Sequence, residues 1–332
     1  MTKPLPPLHL PATAFFCISM NPAIDTRLVL DEFVPGAVNR AREVFRTPGG
    51  KAAHVAMALQ GLGAVPTWIG FSGGATGNEL LAGLRLLEIK TIAAPTVQSS
   101  RVNLEIVDVR GGVTEVLEPG ATVTSSEWDE FQRVAASAFQ REGQKIVALS
   151  GSVPPGLPAD ACATLINSAR SANCLAMIDT SGLPLSKALA AGPDLVKINR
   201  EEAESITQMP IRDPVSAAHA VRKLLKCGAR SAAISLGNRG IIGVEGNSQP
   251  AVHAWTEPLH PKSTVGCGDA ALAGLAFATA SGLSFEQRLA MAVACGAANC
   301  LATLPGRIKH EDISRVRERV HIERLQEQEP AR

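Results

Sequence analysis

The chain has 332 residues, 45% hydrophobic and 19% charged, a balance far from the polar, highly charged compositions that stay disordered, and a length suited to one large α/β domain or two average ones. A formal net charge of +1 sets up no field for gathering polyanions, which excludes nucleic acid as an expected partner. With no Tyr and 4% aromatics, the core must be built from Ala, Val, Leu and Ile, with helices packing closely through small side chains.

Along the chain, residues 12–20 are apolar, but four prolines in the first eleven residues argue against the helical stretch of a secretory signal. Short apolar or β-branched runs at 15–20, 66–71, 145–150, 175–179, 195–198 and 231–236 read as strands. Longer amphipathic segments beginning near Lys51, Gly77, Thr124, Pro158, Pro184, Arg200 and Val215 read as helices. This alternation predicts a mostly parallel sheet covered by helices on both faces, with ligands outside the carboxyl ends of its strands. Two segments break the rhythm: 26–46, around Pro35-Gly36, and 101–117, around Gly111-Gly112, look like hairpin-type β structure with one polar face. They are expected to form edge extensions or a small lid contributed by about 24–48 and 97–120. Residues 270–283 and 289–304 are too short for a bilayer and read as buried helices, so no membrane is expected. From Lys309 on, mixed charge predicts a solvated helix and a frayed end. No linker, repeat or composition shift divides residues 1–332, which read as one domain. Seven scattered cysteines without a CxxC pattern point to free thiols in a reducing cytoplasm.

Absent motifs narrow the chemistry. There is no GxGxxG, and Gly50-Lys51 lacks the earlier glycine of a Walker A loop. The run Gly70-Phe71-Ser72-Gly73-Gly74 satisfies GxSxG, a pattern that a glycine-rich strand-to-helix turn also meets by accident. The most informative stretch is 263–269, where Gly266, Cys267 and Gly268 precede Asp269 at the start of a small-residue helix. Unpaired N–H groups and the helix dipole there favour an anion. Asp269 then serves either as a base for an attacking hydroxyl or simply as the helix N-cap. A second glycine pair, Gly49-Gly50, opens the helix at Lys51. Asn199 and Glu202, just after a strand, offer oxygens suited to Mg2+ or to an ordinary charged helix start.

Taken in order, these segments resemble the ribokinase-like, or PfkB, family of carbohydrate kinases from about residue 13 to 306. STVGCGDAALAG is similar to that family's closing signature, and PGGK with GFSGGATG to its opening one. The likeness is strongest to the 1-phosphofructokinase and tagatose-6-phosphate kinase branch, through 21–25 (NPAID), 100–103 (SRVN) and 150–156 (SGSVPPG). The resemblance implies a Rossmann-like core with a β-sheet lid. It implies that Asp25, Gly49, Gly50 and Lys51 line the sugar pocket, with Arg101, Asn103 and Ser152 near a substrate phosphate. Asn199 and Glu202 would organise Mg2+, directly or through water, and Lys197 would lie near the phosphates of ATP. Ser235, Gly237 and Gly240 would border the nucleotide, with Asn299 near the adenine. Gly266, Cys267 and Gly268 would form the anion hole, and Asp269 would be the base. A guanidinium fork at Arg101 suits a phosphate on chemical grounds as well.

Departures from the family pattern fall on the acceptor side. Where GGKGxN is usual, this chain has Gly50-Lys51-Ala52-Ala53-His54, so a glycine gains a methyl and His54 stands in place of an asparagine. As a sugar ligand His54 would accept a hydroxyl hydrogen bond and lose that ability when protonated near pH 6.5. Cys267 replaces an alanine, and its helix N-terminal setting predicts a depressed thiol pKa. The expected activity is ATP-dependent phosphorylation of a ketohexose phosphate: fructose 1-phosphate, fructose 6-phosphate or tagatose 6-phosphate. The rivals are a kinase for a free sugar or nucleoside and a catalytically weak sugar-phosphate sensor. The exposed lid face invites a homodimer.

Overall fold

The computed structural model describes residues 12–109, 112–259 and 261–325. The elements run β1 (Thr13–Ser19), β2 (Ala23–Leu30), β3 (Glu43–Gly49), α1 (Lys51–Gly61), β4 (Pro66–Ser72), α2 (Gly74–Leu86), β5 (Lys90–Pro95), β6 (Arg101–Asp108), β7 (Val113–Leu117), α3 (Ser125–Phe139), β8 (Gln144–Ser150), α4 (Ala161–Ser171), β9 (Leu175–Asp179), α5 (Gly182–Ala190), β10 (Leu195–Asn199), α6 (Arg200–Thr207), α7 (Pro214–Lys226), β11 (Ser231–Ser235), β12 (Ile241–Glu245), β13 (Val252–Trp255), α8 (Cys267–Ala280), α9 (Phe285–Leu301), α10 (His310–Arg317) and β14 (His321–Arg324).

A ten-stranded sheet has the order β14-β13-β12-β11-β10-β9-β8-β1-β4-β5. From β5 to β11 all neighbours are parallel, and β12, β13 and β14 add on antiparallel. The parallel strands are apolar on both faces because helices cover both. One buried cluster joins the sheet to α1, α8, α9 and α10, the other to α3, α4, α5 and α7. The expectation from composition holds at the contact of α8 with α9, where a Cβ on Gly274 would come within 2.7 Å of the Met291 carbonyl oxygen. Almost every residue of α8 is buried, so its apolar character on all sides reflects a central helix rather than a membrane span. No helix among the described residues is long and apolar enough to cross a membrane.

The two segments that break the alternation unite in one four-stranded sheet, β3-β2-β6-β7. Its centre is the parallel pair β2 and β6, in which Ala23, Asp25 and Arg27 lie opposite Arg101, Asn103 and Glu105. Side chains alternate along a strand, so these six residues share one face. Arg27 and Glu105 form a buried bidentate pair at 2.7 and 2.9 Å, and Ser263 Oγ donates to Glu105 at 3.3 Å. This anchors the small sheet to the loop before α8.

The tail departs from expectation. Ile313 and Val316 of α10 are buried, and β14 pairs with β13 from Val252↔Arg324 to Trp255↔His321, so the mixed-charge segment supplies an edge strand. The frayed end expected beyond residue 325, the proline-rich first eleven residues and Gly111 of the second hairpin lie outside the described residues.

Candidate active site

The chain leaves β1 toward β4 and β5 on one side and returns to β8 and the remaining strands on the other. Ligands of such sheets collect beyond the carboxyl ends of the strands at this reversal. Asn21, Ser152, Asp179, Asn199 and Ser235 all sit at or just past those ends. There the structure has a cavity of about 440 Å³ roofed by the small sheet. It is lined by Asp25, Gly50, Lys51, His54, Arg101, Asn103, Ser152, Lys197, Asn199, Glu202, Ser235, Gly266, Gly268 and Asp269, and by the lid carboxylates Glu105 and Glu115.

Local structure explains how the acceptor side is held. Gly73, after β4, accepts from Ser100 N–H at 2.9 Å, and its own N–H donates to Ser100 Oγ at 3.2 Å. That fastens the turn leading into Arg101. Ser72-Gly73-Gly74 is thus a structural turn in this fold, as the accidental reading of GxSxG has it. Arg101 Nη1 donates to the Glu118 carbonyl at 2.8 Å, while Arg101 Nε and Asn103 Oδ1 are buried with no partner. Buried polar atoms are rarely left unpaired, so the first is left as a donor for a ligand's acceptor oxygens and the second as an acceptor for its hydroxyls. Burial pulls the Arg101 guanidinium below its ordinary pKa, against the pull of Asp25 and Glu118. Ser152 Oγ accepts from Asn21 Nδ2 at 2.9 Å. Asp25 Oδ1 accepts from Asn103 Nδ2 at 2.9 Å. Gly49 lines no wall of the cavity, but a Cβ there would overlap the Asp25 carboxylate.

On the opposite wall α8 begins. Gly266 is its N-cap, with a left-handed φ of 78°, a conformation that favours glycine. Asp269 lies one turn inside the helix, so the simple N-cap role falls away. Its buried carboxylate meets His54 of α1, Nδ1 to Oδ2 at 2.9 Å. The other ring nitrogen of His54 lies 3.0 Å from Asp25 Oδ2. Burial opposes a charge on this imidazole, but hydrogen bonds and attraction from Asp25 and Asp269 push its pKa up to about 10. At neutral pH both nitrogens therefore donate. This corrects the expectation that His54 accepts from a sugar hydroxyl with a break near pH 6.5. Burial would raise the Asp25 carboxyl, yet His54, Asn103 and the Gly50 N–H hold it below the usual range.

Between these walls lie two ammonium groups. Asp179, at the end of β9, accepts from Lys51 Nζ at 2.5 Å and from Lys197 Nζ at 2.7 Å. Burial would raise its carboxyl, but the two lysines bring it down to about 2. Burial also works against the Lys51 charge, and Asp179, Glu202 and Asp269 outweigh it and raise that pKa. Lys197 Nζ lies only 2.6 Å from where a Gly268 Cβ would be, so the glycine lets the ammonium reach the turn at the start of α8. Asn199 and Glu202 form a reciprocal capping box at the start of α6, each side chain accepting from the other's N–H. The ordinary helix-start reading is thus true of this pair. Glu202 Oε1 still faces the cavity, 3.5 Å from Lys51 Nζ. Among the described residues no group of three or more His, Cys, Asp and Glu could hold a metal alone. A single carboxylate matches Mg2+, which keeps most of its water and takes further ligands from phosphates.

A second cavity, about 290 Å³, opens on the other side of the same turn and is lined by Ser235, Gly237, Gly240, Thr256, Cys267, Gly268 and Cys300 among others. The two cavities share Ser235 and Gly268. Asn299 does not line it. Its buried amide donates to the Val265 carbonyl at 2.8 Å and accepts from Gly306 N–H at 2.7 Å, so it braces the turn from behind instead of meeting an adenine. Cys267 also differs from expectation: its bond to Cys300, then burial, raises its thiol pKa, overriding the helix terminus. Sequence reasoning missed Asp179 and the bracing role of Asn21. The one signal for Asp179 was an acid at the carboxyl end of a buried strand.

The fold and this site define a phosphotransferase of the sugar-kinase class. The profile of the pfkB family carbohydrate kinases matches residues 17–310, and the chain belongs to that family. It is 29% identical over 307 residues to the ATP-dependent 6-phosphofructokinase isozyme 2 of Escherichia coli (91% of this chain, 97% of that protein). It is 35% identical over 268 residues to the 1-phosphofructokinase of Xanthomonas campestris (79% and 82%). The crystal structure of Escherichia coli phosphofructokinase-2 in complex with substrates and products superimposes with a TM-score of 0.84 at 27% identity, covering 92% of this chain and 99% of that one.

Proposed function

We propose that the protein is an ATP-dependent kinase that transfers the γ-phosphoryl group to a hydroxyl of a ketohexose phosphate. The observation that carries this reading is the meeting of two cavities at Gly268, with Asp269 on one side and the unpartnered Arg101 Nε and Asn103 Oδ1 awaiting a phosphosugar. The phosphofructokinase names of its relatives support the same substrate class. ATP occupies the cavity behind Cys267, and its terminal phosphoryl lies at the N–H groups of the turn, where Lys197 and Lys51 offset the charge that builds up on transfer. Asp269 accepts the proton of the attacking hydroxyl. Glu202 and Asn199 would hold Mg2+ through its water shell, and the ion would supply positive charge to offset that of the nucleotide phosphates.

The test is ADP release with fructose 1-phosphate, fructose 6-phosphate, tagatose 6-phosphate and free sugars. Turnover of a phosphorylated ketohexose supports the reading. Preference for a free sugar or nucleoside would overturn it, and nucleotide and sugar-phosphate binding without turnover would make the protein a sensor. The same reading takes residues 1–332 as one domain acting in the cytoplasm, where ATP is available and the seven free cysteines stay reduced. Val44 and Val116, on the face of the small sheet turned away from the cavity, are exposed, and pairing of two copies through that face would cover them, which light scattering on an eluting peak would detect.

A further inference from the structure

Cys267 Sγ and Cys300 Sγ lie 3.0 Å apart on the wall of the cavity assigned above to the nucleotide. Cys267 is the first residue of α8 and the centre of the anion-binding turn, whereas Cys300 is in the last turn of α9. The two helices are held close at this point: a Cβ on Gly296 would come within 3.2 Å of the Cys267 carbonyl oxygen. Both thiols are partly exposed, while Cys17, Cys162, Cys174 and Cys295 are buried and Cys227 is exposed.

From this geometry we propose that Cys267 and Cys300 form an oxidisable dithiol, a modification site at which a peroxide closes a disulfide across the nucleotide cavity and switches phosphoryl transfer off. The proposal rests on the nucleotide reading of that cavity. The hydrogen bond from Cys267, against the effect of burial, lowers the Cys300 thiol pKa and makes it the better thiolate. That thiolate attacks one oxygen of hydrogen peroxide and the O–O bond breaks, leaving a sulfenic acid on Cys300 and hydroxide, which takes a proton to become water. Cys267 Sγ then attacks the Cys300 sulfur, its S–H proton leaves with the departing hydroxyl as a second water, and the S–S bond forms. Two thiols are oxidised and one peroxide is reduced to two waters.

A disulfide brings the sulfurs to about 2 Å, from the 3.0 Å seen here. That draws the start of α8 toward α9 and takes Cys267 from its 3.4 Å contact with Asn299 Nδ2. The amides of Cys267 and Gly268 and the neighbouring Asp269 move with it. Displacement of about 1 Å in reacting geometry lowers rates by up to roughly 100-fold.

The full-length protein is treated with hydrogen peroxide and analysed by intact mass, peptide mapping and ADP release. The expected result is loss of the mass of two hydrogens, a linked peptide pair containing Cys267 and Cys300, and activity that falls by on the order of 10- to 100-fold and returns with dithiothreitol. ATP should slow the linkage. In Cys300→Ser and Cys267→Ala the linked pair is absent and dithiothreitol restores nothing beyond what it restores to an untreated sample. Oxidation without a Cys267–Cys300 link, or a link that leaves turnover unchanged, overturns the proposal. Binding of a fluorescent ATP analogue to the reduced protein is measured in parallel. If it fails, the nucleotide reading is wrong; if it succeeds and no link forms, the dithiol proposal alone is wrong.

Discussion

His54 Nδ1 lies 2.9 Å from Asp269 Oδ2, so a histidine on α1 holds the carboxylate assigned as base from 215 positions away in the chain. Its other nitrogen holds Asp25, and one buried imidazolium joins β2 of the small sheet to the start of α8. An asparagine in this place could donate to only one of the two acids, with no charge to balance them. His54 is therefore a cationic strut between the two acids.

Removing the charge should be costly. His54→Leu leaves the buried Asp269 and the part-buried Asp25 without their cation, and loss of one partner of a buried ion pair costs about 3–5 kcal/mol. His54→Asn should lose less, because its amide still reaches one carboxylate. The folded pKa of about 10 stands above the ordinary 6.5, so this stabilisation is complete below pH 6.5 and disappears as pH rises toward 10. Urea unfolding at a series of pH values should show wild type losing its advantage over His54→Leu on the alkaline side. A difference that vanished instead below neutral pH would contradict a cationic His54.

Much of this was legible in the chain, and the reasons for the rest are physical. The six buried parallel strands announced themselves as uniform apolar runs bounded by helices. The strands at and near the ends of the sheet did not: β5 is six residues with a lysine at its start, β12 carries Gly243 in its interior, and β14 reads His-Ile-Glu-Arg. Such strands owe their conformation to pairing more than to composition. At the site, residue types within short motifs were readable, whereas the bonds of His54 to Asp269, of Cys267 to Cys300 and of Asp179 to two lysines join segments far apart in sequence. Those contacts decide pKa values, and the expected depression at Cys267 and the ordinary value expected at His54 both failed for that reason.

Asp269→Asn keeps the shape of the side chain and one acceptor for His54, but it cannot take up the hydroxyl proton. Turnover should fall by about 10²- to 10⁴-fold, while the KM for ATP changes little, since the amides of the turn are untouched. Steady-state kinetics on protein shown to be folded by circular dichroism would check this. Near-wild-type turnover would remove Asp269 from the role of base.

Arg101 is tied to the protein through Nη1 and the Glu118 carbonyl, leaving its buried Nε free to donate. Charge-assisted hydrogen bonds contribute roughly 1.5 to 3 kcal/mol. Arg101→Ala should accordingly raise the KM for the phosphosugar on the order of 10- to 100-fold, with ATP affinity unchanged. An effect confined to ATP would move Arg101 to the other substrate.

Asp179→Asn tests the link between the two lysines. The carboxylate has a pKa of about 2 against an ordinary 3.8. Its stabilising effect is thus complete above pH 3.8 and declines as pH falls toward 2. With an amide in its place, Lys51 and Lys197 would lose the carboxylate that binds both, leaving Glu202 as a more distant counter-charge to Lys51, and both stability at neutral pH and turnover should drop. If thermal unfolding at neutral pH were unchanged, the pairing seen at 2.5 and 2.7 Å would carry no weight.

Gly268→Ala separates the placement of Lys197 from its presence. The added methyl would sit 2.6 Å from Lys197 Nζ and 3.8 Å from its Cε, and the nearest atom it meets is the end of a flexible side chain. The fold can absorb this by shifting the ammonium while it keeps its bond to Asp179, at a cost of roughly the 1–3 kcal/mol of overpacking. The shift takes the ammonium away from the turn where the transferring phosphoryl is expected. Activity should therefore fall much more than stability, with kcat reduced more than the acceptor KM is raised, because the lost contact strengthens as charge builds up in transfer. Equal loss of kcat and thermal stability would mean that Gly268 serves only packing, and unchanged kcat would mean that Lys197 takes no part in the reaction.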